Sequence, residues 1–386
     1  MYSSPALHAP VLTLPEHKTL LANKLASIAM ARQPPAPAPP SVAASAASID
    51  IPLTTVSLQN NFDASINITL PGARPGFVVP LLVDSGNSSL ILPRFSDLQA
   101  LPNFNKTYSV LAHNVREPWQ CPANIVRGPI QIPTQKGVYE ISNCVFYACT
   151  GPNPSGELTA NFGTGRISPW QSVNGITIQS PLSFDSNFGF AEFNYAPAAQ
   201  VLAAASQPNI SEGSSLTLYR SMPQGYQTFD IVKNCFWMSL KPLALGIGAV
   251  TTGWPGTRPS IAMVDTGGGP VFLSDPDGYL YNKVWPAPVS NPAWTTPGSV
   301  SCESTKDKIT VGLGDGTSSF SYTINPSTLP ASVQGLTLVM CEKCFYMMDN
   351  AGMNIGGLSA LFNYILIDYA SAKVGFKTKA GLPPSV

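Results

Sequence analysis

The sequence predicts a mostly β protein built from two similar lobes. Its apolar segments are short, β-branched and punctuated by turn residues, with 31 glycines and 38 prolines among 386 residues, a pattern of many strands rather than long helices. One stretch of grammar also occurs twice. In LLVDSGNSSLIL (Leu81 to Leu92) and again in IAMVDTGGGPVFL (Ile261 to Leu273) an apolar strand runs into Asp, a small hydroxyl residue and Gly. The repeat is too widely spaced for a solenoid and suits two lobes of one chain, whose length can bury a large core.

Taken in chain order, residues 1–50 read as a leader. LPEHKTLLANKLASIAMARQ (Leu14 to Gln33) carries Leu20, Leu21, Leu25 and Ile28 at helical spacing, with Lys18, Lys24 and Arg32 on or near the polar side. The Pro/Ala-rich PPAPAPPSVAASAAS (Pro34 to Ser48) that follows is a linker in composition. Strand-like alternation starts at IDIPLTTVSL, giving an N-terminal lobe over 51–225 and a C-terminal lobe over 226–386. Each lobe also holds an apolar residue followed by Gly downstream of its Asp turn, in SNFGFAEF (Ser186 to Phe193) and MNIGGLSALF (Met353 to Phe362).

Composition narrows the function classes. Lysine plus arginine equal aspartate plus glutamate at 21 each, and 11% of residues are charged, so there is no basic footprint for nucleic acid. No run of about 18 apolar residues predicts a membrane-spanning helix. The first thirty residues lack the features of a secretory signal, while sequons at Asn67, Asn87, Asn105 and Asn209 would accept glycans in an exported chain. Seven cysteines leave at least one thiol unpaired within the chain. CEKC (Cys341 to Cys344) has no second CxxC and only three histidines in the whole chain to join it, so no metal site and no cofactor are expected.

The chemistry concentrates in the two turns. A carboxylate at the end of an apolar strand is costly unless it is solvated, paired or hydrogen-bonded. If the turns meet between the lobes, Asp84 and Asp265 lie side by side and share one proton, because adjacent like charges do not both ionise easily. One carboxyl can then take a proton from water while the other donates to a carbonyl oxygen. Gly86 and Gly267 permit the tight turn, and the hydroxyls of Ser85 and Thr266 can lock one loop to the other. Either tripeptide alone is commonly an ordinary turn; the repetition gives the pair its meaning.

These motifs resemble the pepsin-like aspartic protease family, from about Ile51 to Lys379. ELTANFGTGRIS (Glu157 to Ser168) is similar to the family's flap hairpin, and SNFGFAEF to the apolar-Gly segment supporting the first catalytic loop. NIGGLSALFNYILIDYASAKVGF (Asn354 to Phe376) resembles the C-terminal signature. The resemblance implies a bilobal pepsin-like acid protease fold and an endopeptidase in which water is activated by Asp84 and Asp265. Ser85, Gly86, Asn87, Thr266 and Gly267 would support the catalytic loops, and Phe162, Gly163, Thr164 and Gly165 would form a flap over an extended peptide or unfolded protein substrate. It also implies a Cys302–Cys341 disulfide, a monomer, and a secreted or acidic location, with the cytoplasm left open by the missing signal. Lys18 or Lys24 would pair with the dyad if the leader is an inhibitory prosegment. Two departures stand out: Phe162 and Ile91 occupy the positions of the family's flap Tyr and its Trp partner, and Gly268 stands where a hydroxyl usually donates to the outer carboxylate oxygen, as Asn87 does in the first turn. The alternative reading is a catalytically weak or inactive relative that grips a peptide or protein in its cleft.

Overall fold

The computed structural model describes residues 46–57, 63–185, 187–195, 213–254, 260–269, 271–275, 283, 307–329, 338–341 and 352–379. The expected leader helix, most of the linker, Asn209, Cys302 and the side chain of Cys341 lie outside the described residues. The chain is mostly β, with its sheets arranged in two lobes.

After β1 (Ser48–Pro52), the first lobe forms an eight-stranded sheet from β2 (Thr55–Ser57), β3 (Asp63–Ile68), β4 (Val79–Asp84), β5 (Leu90–Leu92), β6 (Ser109–Arg116), β7 (Pro122–Thr134), β8 (Gly137–Cys149) and β9 (Asn161–Gly163). A small hairpin, β10 (Gln171–Val173) with β11 (Ile176–Ile178), precedes β12 (Phe190–Asn194), β13 (Ser215–Tyr219) and β14 (Gln227–Asp230). The second lobe's sheet uses β15 (Ser239–Ile247), β16 (Val250–Gly253), β17 (Ala262–Met263), β18 (Val271–Ser274), β19 (Ile309–Gly314), β20 (Ser319–Ile324), β21 (Leu338–Cys341) and β22 (Gly352–Asn354), and the chain closes with β23 (Asn363–Asp368) and β24 (Lys373–Thr378).

The duplication glimpsed in the sequence is a duplication of topology. The first sheet contains the order β3-β4-β9-β5-β8, and the second contains β15-β17-β22-β18-β21. In each, the strand leading to the Asp lies parallel to an inserted strand, β9 or β22, which also pairs antiparallel with the strand leaving the turn, β5 or β18. The inserted strand therefore passes between the two arms of the Asp turn and fixes both.

A third, six-stranded sheet in the order β1-β13-β12-β23-β24-β14 joins the lobes, with β12 paired antiparallel to β23 at its centre. Ala191, Phe193, Ile365, Ile367, Val374 and Phe376 pack into the shared core. A fully buried side chain such as Phe193 contributes about 2 kcal/mol over its exposed state. The buried carboxylate of Glu192 on the same sheet is held by the hydroxyls of Tyr219 and Tyr226, as burial of a charge requires.

Three expectations are corrected here. The Phe162–Gly165 segment does not form a flap hairpin: Phe162 and Gly163 belong to β9, between β4 and β5, and Phe162 and Thr164 are fully buried. Gly163 packs so closely on Ser89 that an added Cβ would collide with its backbone nitrogen and oxygen. SNFGFAEF does not support the first Asp turn; it enters β12 of the joining sheet, and a Cβ at Gly189 would meet nothing within 4 Å. The Asn87 sequon is unsuited to a glycan because its side chain is buried and hydrogen-bonded.

The two glycines therefore separate in an alanine test. Gly163→Ala must push backbone apart and should cost about 2–3 kcal/mol, whereas Gly189→Ala should stay within about 0.5 kcal/mol, both measured by urea unfolding. Equal effects would contradict the placement of β9.

Candidate active site

The two Asp turns meet between the lobes and are stitched together by a reciprocal set of hydrogen bonds. The Ser85 N–H donates to Thr266 Oγ1 at 3.1 Å, and the Thr266 N–H donates to Ser85 Oγ at 2.9 Å. Each hydroxyl in turn donates to a carbonyl in the opposite lobe, Ser85 Oγ to Val264 O at 2.8 Å and Thr266 Oγ1 to Val83 O at 3.3 Å. Both residues are fully buried. Such bonds contribute about 1 kcal/mol each, and a partner left unsatisfied there costs about 1–3 kcal/mol.

This stitching brings the carboxyl groups of Asp84 and Asp265 together: Asp265 Cγ and Asp84 Oδ1 lie 2.6 and 3.0 Å from one point, the place a Cβ on Gly86 would take. The glycines of the turns make that approach possible. A Cβ on Gly86 would stand 2.6 Å from Asp265 Cγ, and one on Gly267 would stand 2.9 Å from Asp84 Cγ, both closer than atoms can sit. Asp84 is 6% exposed, while Asp265 is packed around by protein yet partly open to solvent. Water can thus reach the pair.

Each carboxyl is oriented by one backbone amide and one asparagine. Asp84 Oδ1 accepts from the Asn87 N–H at 3.1 Å, and Asp84 Oδ2 from Asn161 Nδ2 at 2.8 Å. Asp265 Oδ1 accepts from the Gly267 N–H at 3.0 Å, and Asp265 Oδ2 from Asn354 Nδ2 at 2.7 Å. Asn161 comes from β9 and Asn354 from β22, the equivalent inserted strands. Their amide orientations are themselves fixed: Asn161 Oδ1 accepts from Asn87 Nδ2, and Asn354 Oδ1 from the Gly356 N–H, each at 2.8 Å.

The asparagines were not anticipated among the site residues. Their signal is short and ambiguous: Asn-apolar-Gly occurs as NFG (Asn161 to Gly163) and NIG (Asn354 to Gly356), and again as NFG at Asn187 to Gly189, which leads into β12 instead. They change the meaning of Asn87 and Gly268. The Asn87 side chain does not donate to Asp84; it holds Asn161, which does. At Gly268 a Cβ would collide with Asp265 Oδ2 and stand 2.6 Å from Asn354 Nδ2, so the bare glycine makes room for the amide that orients Asp265.

Residues expected in the flap instead brace the first turn. The N–H groups of Gly163, Thr164 and Gly165 donate to the carbonyls of Ser89, Asp84 and Asn87 at 3.0, 2.8 and 2.8 Å, and Tyr369 Oη donates to Thr164 O at 2.7 Å from the joining sheet. Ile91 pairs with Asn161 across β5 and β9. A cavity of about 450 Å³ lined by Leu111, Arg127, Val145, Ile176 and Phe184 opens elsewhere on the first lobe and includes none of these groups.

Burial, followed by the charge and hydrogen bond of Asp84, pushes Asp265 well above the ordinary carboxylate range, against the opposing pull of Asn354 Nδ2 and the Gly267 N–H. The pair therefore keeps one proton above the usual carboxylate range. As pH rises past the usual carboxylate range, Asp265 of the unfolded chain releases its proton while the folded chain keeps it. The folded state then binds more protons, and stability falls with rising pH until the folded group also ionises. Asp265→Asn should flatten this decline and raise the unfolding midpoint relative to wild type near neutral pH; an unchanged slope would contradict the shared proton. Gly268→Ser restores a hydroxyl but should displace the Asn354 amide, costing about 1–3 kcal/mol in thermal or urea unfolding, with part of the loss recovered in Gly268→Ser/Asn354→Ala. No protein-family model matches the chain, and no curated protein sequence matches it.

Proposed function

We propose that the protein is an aspartic endopeptidase of the pepsin-like kind, hydrolysing peptide bonds with water activated between Asp84 and Asp265. The observation that carries the reading is the contact of two carboxyl groups at the junction of two equivalent turns, each carboxyl held by a backbone amide and an asparagine. Two acids so placed suit general acid–base chemistry better than a structural role, because mutual repulsion and burial make them costly to keep.

In this reading a water molecule lies against both carboxyls. One carboxyl of the pair takes a proton from it as its oxygen attacks the scissile carbonyl carbon, and the other donates a proton to the carbonyl oxygen. The tetrahedral diol then collapses: a diol proton returns to the dyad, the amide nitrogen is protonated, and the C–N bond breaks. The asparagines hold the carboxyls in place, so little reorganisation is needed as the proton moves. The reaction needs one proton on the pair, which places its working range on the acid side of neutral and fits a peptide or unfolded protein met in an acidic compartment. Among the described residues no helix is long and apolar enough to cross a membrane.

The test is cleavage of an unfolded protein at about pH 4. Wild type should cleave it, and Asp84→Asn and Asp265→Asn should each lose at least about a hundredfold in rate. Activity surviving both substitutions would reject the mechanism. A folded wild type that binds a statine-type peptide without cleaving would make peptide capture the function of the cleft.

A further inference from the structure

A second chemical cluster lies at the tip of the β6–β7 hairpin. Cys121 Sγ, Cys149 Sγ and a Glu117 carboxylate oxygen all lie within 4.8 Å of one another, and all three residues are buried. Ala123 pairs directly with Cys149 in the β7–β8 ladder, so Cys121, two residues earlier, projects from the same sheet face as a diagonal neighbour of Cys149. Thr150 N–H donates to Pro122 O at 2.7 Å, which holds the two chains together at this rung. Both thiols are free in the structure, and Cys121 precedes β7, outside the regular ladder, so bringing the two sulfurs to bonding distance breaks no ladder rung.

We infer that Cys121 and Cys149 form a disulfide that staples the open end of the β7–β8 hairpin and clamps the β6–β7 tip onto it. The hairpin has two 13-residue arms, and the bond sits at the end opposite its turn. A metal is a poorer occupant. Glu117 Oε2 accepts from the Trp119 N–H at 2.7 Å, while Oε1 accepts from the Cys121 N–H at 2.8 Å and Thr159 Oγ1 at 3.1 Å, so three of its roughly four lone-pair sites are already occupied. Among the described residues the cluster also offers three ligands, short of the four a structural zinc takes.

The surroundings supply both halves of a thiol–disulfide exchange. The adjacent Cys149 thiol, with help from Thr159 and Glu117, lowers the Cys121 thiol to about 5, and burial raises Glu117 to about 7. With the tip lifted, the Cys121 thiolate attacks one sulfur of a low-molecular-weight disulfide such as oxidised glutathione. A mixed disulfide forms as one thiolate leaves. Cys149 then gives its proton to the Glu117 carboxylate and attacks the Cys121 sulfur, releasing the second thiolate. The protein pair loses two electrons and the small disulfide gains them. The clamp also bears on Thr159, whose hydroxyl lies 3.3 Å from Cys121 Sγ; two residues on, Asn161 orients Asp84.

The test is independent of peptidase activity. The full chain is equilibrated in oxidised and reduced glutathione, denatured without reductant, alkylated, digested and mapped by mass spectrometry. The inference requires a linked Cys121–Cys149 peptide, with a melting temperature that falls by about 5 °C or more on reduction in wild type but not in Cys121→Ser or Cys149→Ser. Alkylation of both thiols, a link from either to another cysteine, or stoichiometric zinc protecting both would overturn it. If the serine variants fail to fold, the wild-type map alone still decides.

Discussion

The structure depends on four hydrogen bonds in which Ser85 and Thr266 exchange amide and hydroxyl contacts between the lobes. Hydrophobic burial joins the two halves, but it is not directional and would tolerate a range of relative placements. The hydroxyl–amide exchange does not. Each hydroxyl accepts from one backbone group and donates to another in the opposite turn, so a shift of one turn leaves buried donors and acceptors unsatisfied on both sides. That requirement brings Asp84 and Asp265 into contact, and the glycines beside them remove the atoms that would prevent it.

Holding two acids together is unfavourable, and the inserted strands show how the cost is contained. β9 and β22 each deliver an asparagine amide to an outer carboxylate oxygen, stabilising negative charge without adding a competing proton or cation. The lobes reach this result by different local means. In the first, the turn residue Asn87 grips Asn161 from the side. In the second, Gly268 contributes empty space, and the Gly356 N–H fixes the Asn354 oxygen. An amide on the inserted strand thus serves both acids, and at Asp265 it leaves no room for a side chain on the turn.

How far this could be read from sequence follows from what is contiguous. Asp, hydroxyl and Gly sit side by side in both turns, so the dyad, the interlobe hydroxyls and the two-lobe architecture were legible as a repeated word. Asn161 and Asn354 reach their acids from strands far along the chain, and only the ψ-like threading of β9 and β22 through the turns brings them there. NFGTG misled for a related reason. Two glycines next to a Thr suggest an exposed turn, but Gly163 and Gly165 are small because backbone lies against them, Ser89 at the first and the Ser85 and Asn87 carbonyls at the second. Glycine marks close approach as readily as a bend, and neighbouring residues alone do not say which.

The same ambiguity explains why the Cys121–Cys149 pair escapes a reading based on spacing. The residues are separated by the whole β7–β8 hairpin, and neither belongs to CEKC, the one close pair of cysteines that invites attention. Register makes them neighbours: Ala123 opposite Cys149 puts every second residue of both strands on one face. A single-residue slip would send Cys121 to the other face and separate it from Glu117 and Thr159 as well. The inserted strand and the hairpin tip therefore share a constraint. Both obtain their chemistry from strand pairing that is exact to the residue, one by placing amides on acids and the other by placing a thiol beside a thiol, and the Glu117–Thr159 contact ties the second arrangement to the strand that carries the first.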